Sequence, residues 1–197
     1  MAEVKKFLSP VFRASFTQNV FKPGAMEEGG EPKYGLTAIW DPSRFSPRDK
    51  ELWAKIMAEL DSECMARFKK KWADLPGNFK RGIRDGSEKE GLEGFGAGKL
   101  FASLTTKLRP GVVDAAKNPI GLDHGNTDEI YPGCFCRATV TVYTYENKGK
   151  GAAVGLMNLQ KIANGARIDG RTNAAGDFAD EDVDNAWLEQ EDDEIPF

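Results

Sequence analysis

Histidine is almost missing from this chain of 197 residues; the one present is His124. It sits in a loop-like stretch, Asp123-His-Gly-Asn126, with no nucleophile elbow anywhere in the sequence. Ser/His and Cys/His catalysis therefore lack a convincing base. Cysteine is scarce too: Cys64, Cys134 and Cys136, an odd number with no Cys-x-x-Cys pair. That excludes a disulfide scaffold and points to a reducing cytoplasm. His124 with Cys134 and Cys136 could offer three metal ligands, but no fourth is evident, so neither metal nor cofactor is expected. No apolar run approaches the roughly 20 residues of a membrane helix, and no apolar region follows Lys5 and Lys6 as it would in a secretory leader. No membrane partner is expected. Gly94-Phe-Gly-Ala-Gly-Lys99 fails as a phosphate-binding loop, because Glu93 stands where the first Gly belongs and Leu100 where Ser or Thr belongs.

Positive charge is absent beyond Arg171. Residues 177–197 hold ten acids and no base, while residues 1–176 hold 21 acids against 27 bases. The formal net charge of -4 is thus the sum of a +6 body and a -10 tail. Such a tail repels itself and has little to bury, so it is expected to be disordered in isolation. It ends Asp192-Asp193-Glu194-Ile195-Pro196-Phe197. Three acids, a stiff Pro and an aromatic ring beside the α-carboxylate suit a basic-rimmed apolar pocket on a partner protein. This ending resembles the acidic tip of bacterial single-stranded DNA-binding proteins, and that resemblance implies recruitment of replication and repair proteins.

Within the body, residues 11–21 alternate in side-chain character with a period of two and read as a strand. Residues 34–40 form a second, after a Gly/Glu/Pro-rich loop at 22–32. Ser46-Pro47-Arg48-Asp49 is a helix start. Leu52, Trp53, Ile56, Met57, Leu60, Cys64, Phe68 and Trp72 then recur at helical spacing, which predicts a helix over about 47–74. Residues 77–98 read as a mobile basic loop. Residues 99–107, 134–146 and 151–159 read as three more strands, the last two joined by a turn at Asn147-Lys-Gly149. The expected fold is mainly β: an antiparallel five-stranded barrel of the oligonucleotide/oligosaccharide-binding (OB) kind. Its long helix falls between the second and third strands, whereas that barrel usually carries its helix between the third and fourth. Residues 1–176 would form this domain and 177–197 an interaction tail.

Candidate contacts come from one strand above all. Cys136, Ala138, Val140, Val142 and Thr144 form an apolar face suited to a barrel interior. The other face carries Phe135, Arg137, Tyr143 and Tyr145 among threonines. Aromatics and Arg on an open sheet face make a stacking platform for unpaired bases. Tyr34 and Phe101 extend that list, and Trp40 does so unless it is core. Lys99, Lys107 and Arg109, with Arg13, Lys33, Lys80, Arg81 and Arg84, could neutralise phosphates.

Several segments together resemble the phage-type single-stranded DNA-binding proteins of tailed phages and their prophages. They are Ser9-Pro-Val-Phe-Arg-Ala-Ser-Phe16, Gly30-Glu-Pro-Lys-Tyr34, Arg109-Pro-Gly-Val-Val-Asp114, Ile130-Tyr-Pro-Gly-Cys134 and Gly155-Leu-Met-Asn-Leu-Gln-Lys161. The resemblance implies an oligonucleotide-binding barrel that coats single-stranded DNA without catalysis. A place in replication or recombination, and self-association as a homo-oligomer, are further expectations. Two rivals stand beside it. One is a metal-dependent nuclease using acids such as Asp128 and Glu129. The other is a protein-interaction adaptor whose aromatic face is a dimer interface.

Overall fold

The computed structural model describes residues 4–25, 29–147, 149–172 and 177. The acidic ending Asp192–Phe197 and the boundary at 176 lie outside them. Among the described residues, nine strands and one α-helix follow in chain order: β1 (Phe7–Leu8), β2 (Phe12–Gly24), β3 (Lys33–Trp40), α1 (Pro47–Phe68), β4 (Lys80–Arg81), β5 (Ile83–Asp85), β6 (Leu100–Thr106), β7 (Gly111–Val113), β8 (Phe135–Tyr145) and β9 (Gly151–Ala163). Five of them carry the architecture. β2 pairs with β3, β3 with β6, β6 with β9, β9 with β8, and β8 again with β2.

The expected antiparallel barrel is corrected along one edge, that of β9, where the pairings are parallel. β8 and β9 form an antiparallel hairpin, and β8 uses its other edge for β2. The free edge of β9 is left to meet β6, and the chain direction makes that pairing parallel, through Thr105 and Gly155. Two short strands extend this edge, also in parallel: β4 at Gly151 and Ala152, and β7 at residues 158–160.

Period-two patterning sets which side faces in. On β8, Cys136, Ala138 and Val140 are buried, while Phe135, Arg137 and Thr139 are only half-buried. Phe12, Ala14, Leu36, Ala38, Trp40, Ala102 and Leu104 join them in one core. Trp40 is core, not surface: its indole N–H donates to the Pro10 carbonyl at 3.3 Å and its ring meets Phe12 edge-on at 5.7 Å.

The helix starts where the sequence predicts. Ser46 and Asp49 form a reciprocal capping box with Pro47 in the first turn. Leu52, Ile56, Leu60 and Cys64 face the core. The helix stops earlier than expected, at Phe68 and not near 74. Lys69 adopts a left-handed conformation (φ 58°) that ends the ladder, and the chain re-enters through a short 3-10 turn at Trp72–Asp74. There the Asp61 carboxylate accepts from the Trp72 amide at 2.8 Å. Trp72 is still buried, so its helical spacing reported burial correctly and helix length incorrectly.

Residues 77–98 are likewise not a free loop. β4 and β5 lie inside this span, hydrogen-bonded to β9 and β6. Short polar strands paired along a sheet edge carry little alternation, so the pattern read as loop.

Candidate nucleic-acid interface

The outer surface of the sheet carries two neighbouring depressions. The larger is an open groove of about 1640 Å³. β2 forms its floor through Ser15, Phe16 and Thr17, the residues around Phe95 form one side, and Tyr131, Lys161 and Arg167 form another.

Phe16 is the residue that sequence reasoning missed. The register between β2 and β3 slips after Ser15, and Phe16 sits there with φ 48°. Left-handed backbone costs a bulky residue roughly 1–2 kcal/mol, and such outliers collect where a side chain must be re-aimed. The outcome is a phenylalanine left 42% exposed in the groove. It lies 6.4 Å from the Phe95 ring, and the Lys89 ammonium sits 4.7 Å above it. The same ammonium lies 5.3 Å from Phe95 and 5.2 Å from Phe101. Burial among these rings, and then the nearby Arg84 charge, lower the Lys89 pKa below the ordinary lysine value. Leu92 and Leu122 also line the groove and are about half exposed.

The far side is built around Tyr131. Its hydroxyl donates to the Gly165 carbonyl at 3.0 Å and accepts from the Gly165 amide at 3.1 Å. Lys161 and Arg167 lie over its ring. Lys161 pairs with Glu129, and Arg167 with Asp169 at 2.7 Å, a pairing that raises the Arg167 pKa and lowers that of Asp169. Gly133, at φ 115°, lets the two segments cross: a Cβ there would stand 2.1 Å from the Ala166 carbonyl oxygen. The groove thus holds four cations, Lys22, Lys161, Arg167 and Arg171, against four acids, Glu93, Asp128, Glu129 and Asp169.

The smaller depression, about 390 Å³, begins beyond Gly94. Its floor follows a row across the sheet, in which Ala163 pairs with Phe135, Phe135 with Arg13 and Arg13 with Ile39. Arg44, Phe45 and Lys99 also line it.

The residues singled out from sequence fall into separate groups. Arg13, Lys99 and Phe135 come together in the smaller depression. Phe101 continues their row, opposite Ile39, but it is only 2% exposed beneath Phe95 and Lys89. It is therefore no stacking surface, and its role there is corrected to that of a floor beneath the Lys89 cluster. Arg81 is also taken up by the fold: its guanidinium donates to the Leu75 carbonyl at 2.7 Å and lies over Trp72. Arg84 pairs with Glu88, Lys107 with Glu31 and Arg109 with Asp123, each on the surface. Arg137 donates to the Gln160 amide oxygen at 2.9 Å. Lys33 and Tyr34 open β3, and Lys80 opens β4. Tyr143 and Tyr145 lie on the outer face of β8 with rings 6.3 Å apart, and line neither depression.

The two sulfurs at Cys134 and Cys136 are 3.6 Å apart and fully buried. The thiol-to-sulfur hydrogen bond lowers the Cys134 pKa to about 7 and raises that of Cys136. No cluster of three metal-ligating side chains occurs among the described residues.

Residues 5–188 match the family described as Enterobacter phage Enc34, ssDNA-binding protein. The chain belongs to this Enc34 family. A family of DNA-binding, non-enzymatic proteins removes the nuclease rival, and the paired Glu129 is a groove charge. The fold agrees with solved structures of single-stranded DNA-binding proteins from two phages. The single-stranded DNA-binding protein from bacteriophage Enc34, solved in complex with ssDNA, superposes with a TM-score of 0.65 at 22% identity, covering 82% of this chain and 88% of that one. Bacteriophage T7 gp2.5, another single-stranded DNA-binding protein, gives 0.57 at 15% identity, covering 93% and 97%. Putative protein p50 of Acyrthosiphon pisum secondary endosymbiont phage 1 is 38% identical over 88 residues, 45% of this chain and 45% of its own length. The chain therefore spans under half of this curated relative.

Proposed function

We propose that the protein binds single-stranded DNA without catalysis or marked sequence preference, with the large groove as its principal seat. One observation carries this reading: a strained bulge holds the Phe16 ring open in the groove beneath a lysine ammonium. A base can stack on the exposed ring while the ammonium faces the adjoining phosphate, and stacking needs no sequence readout. The ring of five strand pairings, with its parallel seam, supports an OB-type barrel with an extra helix between its second and third strands. In such barrels the outer face of the second and third strands takes the ligand. Here those are β3 and β6, whose outer face carries the Phe95–Phe101–Lys89 cluster.

On this reading residues 1–176 are the DNA-binding domain. The segment 177–197 recruits replication or recombination proteins through Asp192–Phe197. The work is done in the host cytoplasm, with self-association open to the outer β8 face. A fluorescent oligo-dT titration at several salt concentrations tests the reading. Wild type should bind with a steep salt dependence and no cleavage. Phe16→Ala should weaken binding by roughly 5- to 150-fold, the loss of about 1–3 kcal/mol expected for one stacked base. Alanine keeps the left-handed backbone cost, so the comparison isolates the ring. Unchanged affinity in Phe16→Ala would remove the groove from the proposal.

A further inference from the structure

We propose that the smaller depression is a second nucleotide site, which takes the strand where it leaves the groove over Gly94. The proposal rests on the single-stranded DNA reading above and adds to it a path and a set of contacts. The two depressions adjoin at Gly94. Gly94 lines the smaller one and its neighbours Glu93 and Phe95 line the larger. A Cβ at Gly94 would touch Ile168 on the groove side at 3.1 Å and Ile39 on the pocket side at 3.4 Å. Arg13 bridges the same divide: it lines the pocket and donates to the Ala166 carbonyl in the groove wall at 2.8 Å.

The chemistry of the pocket fits a nucleotide. Its volume, about 390 Å³, falls in the roughly 300–1,000 Å³ range of small-ligand sites. Phe45 and Phe135, both half-buried, line it beside Ile39 and Ile162. Three cations surround this apolar floor: Arg13, Arg44 and Lys99. Among the described residues none of the three makes an ion pair. The Arg13 Nε is buried without any hydrogen-bond partner. Both acids at the rim are already engaged. Asp41 accepts from Ser43, and Asp49 accepts from Ser46 and from the Val11 amide. Arg13 and Lys99 each donate to a backbone carbonyl, of Ala166 and Phe95, but no carboxylate neutralises any of the three cations. Guanidinium and ammonium groups beside phenyl rings recognise phosphates attached to stacked bases. By contrast, two of the four groove cations, Lys161 and Arg167, are held by acids. The pocket therefore adds positive charge beside a groove whose four lining cations are matched by four acids.

The test uses the full-length protein and oligo-dT of about 4 and about 16 nucleotides, lengths that bracket OB-domain site sizes. Arg44→Gln and Lys99→Gln are made singly and together; Arg44 is exposed, and Gln at 99 keeps an N–H donor for the Phe95 carbonyl, so both should fold normally. The longer oligonucleotide should lose affinity, and the magnitude of its log–log salt slope should drop by about 0.7 for each phosphate contact removed. The shorter one should bind as tightly as to wild type. A long oligonucleotide carrying bromodeoxyuridine should crosslink to Phe45 or Phe135. Equal loss at both lengths would overturn the second site, because the charges would then act on the groove. Unchanged or tighter binding of the long oligonucleotide would overturn it too, and tighter binding would assign the pocket to the acidic segment. Failure of wild type to bind either length would instead sink the DNA-binding reading itself.

Discussion

Lys89 is where burial, aromatic contact and charge meet on one side chain. Its ammonium lies within about 5.3 Å of three ring centroids and is partly withdrawn from water. Cation–π attraction favours the charged form, yet desolvation prevails and lowers the pKa. The sign of the consequence is definite. A lysine with a lowered folded pKa loses its charge earlier as pH rises than an ordinary surface lysine. Affinity for oligo-dT should therefore begin to fall at a lower pH in wild type than in Lys89→Arg, since arginine stays charged. Stability moves the opposite way, because the unfolded chain binds more protons across that window. Coincident pH profiles for wild type and Lys89→Arg in an anisotropy titration would remove Lys89 from DNA contact. Nothing local in the sequence marks this residue. It follows Glu88 in a short 3-10 turn, and only the fold brings Phe16, Phe95 and Phe101 beneath it. The same holds for Phe16, whose alternation with Phe12 and Ala14 suggested a regular strand until the bulge turned it outward.

At the scale of elements, the sequence was most legible where one physical rule acts alone. The alternation along β8, the Ser46–Asp49 cap and the 3.6-residue stripe through Leu52, Ile56 and Leu60 each appear where expected. Misreadings arose where tertiary pairing took over. Examples are the left-handed stop at Lys69, the edge strands β4 and β5, and the parallel seam at Gly155. The β8 outer face shows the limit of the method for a site. Sequence identified its aromatics, and the fold separated them: Phe135 joins the pocket row, whereas Tyr143 and Tyr145 lie nearer the hairpin turn. Tyr143 is 41% exposed, so passing DNA can touch it, but it lines neither depression. Tyr143→Ala should therefore weaken oligo-dT binding less than Phe16→Ala does. A larger loss from Tyr143→Ala would move the main contact from the groove to the hairpin.

At the scale of the whole molecule, charge is divided between two parts of opposite sign. The body at +6 attracts a polyanion, although its main groove is close to neutral. The attraction is therefore spread over the surface and is open to screening by salt, with a Debye length of about 10 Å at 0.1 M. Residues 177–197 bring ten acids tethered to that body. A tethered polyanion competes with DNA at an effective concentration that free acidic peptide could match only in the millimolar range. Because each carboxylate pairs weakly with exposed cations, the competition should depend on many small contacts and fade as ions screen them. Deleting residues 177–197 should accordingly tighten oligo-dT binding at low salt, and the truncated and full-length proteins should converge as salt rises. The truncated protein should also show the steeper log–log salt slope, since its cations are free to meet phosphates. Equal affinities for the two proteins at every salt concentration, or weaker binding after truncation, would show that the acidic segment is no competitor and would leave partner recruitment as its sole proposed role.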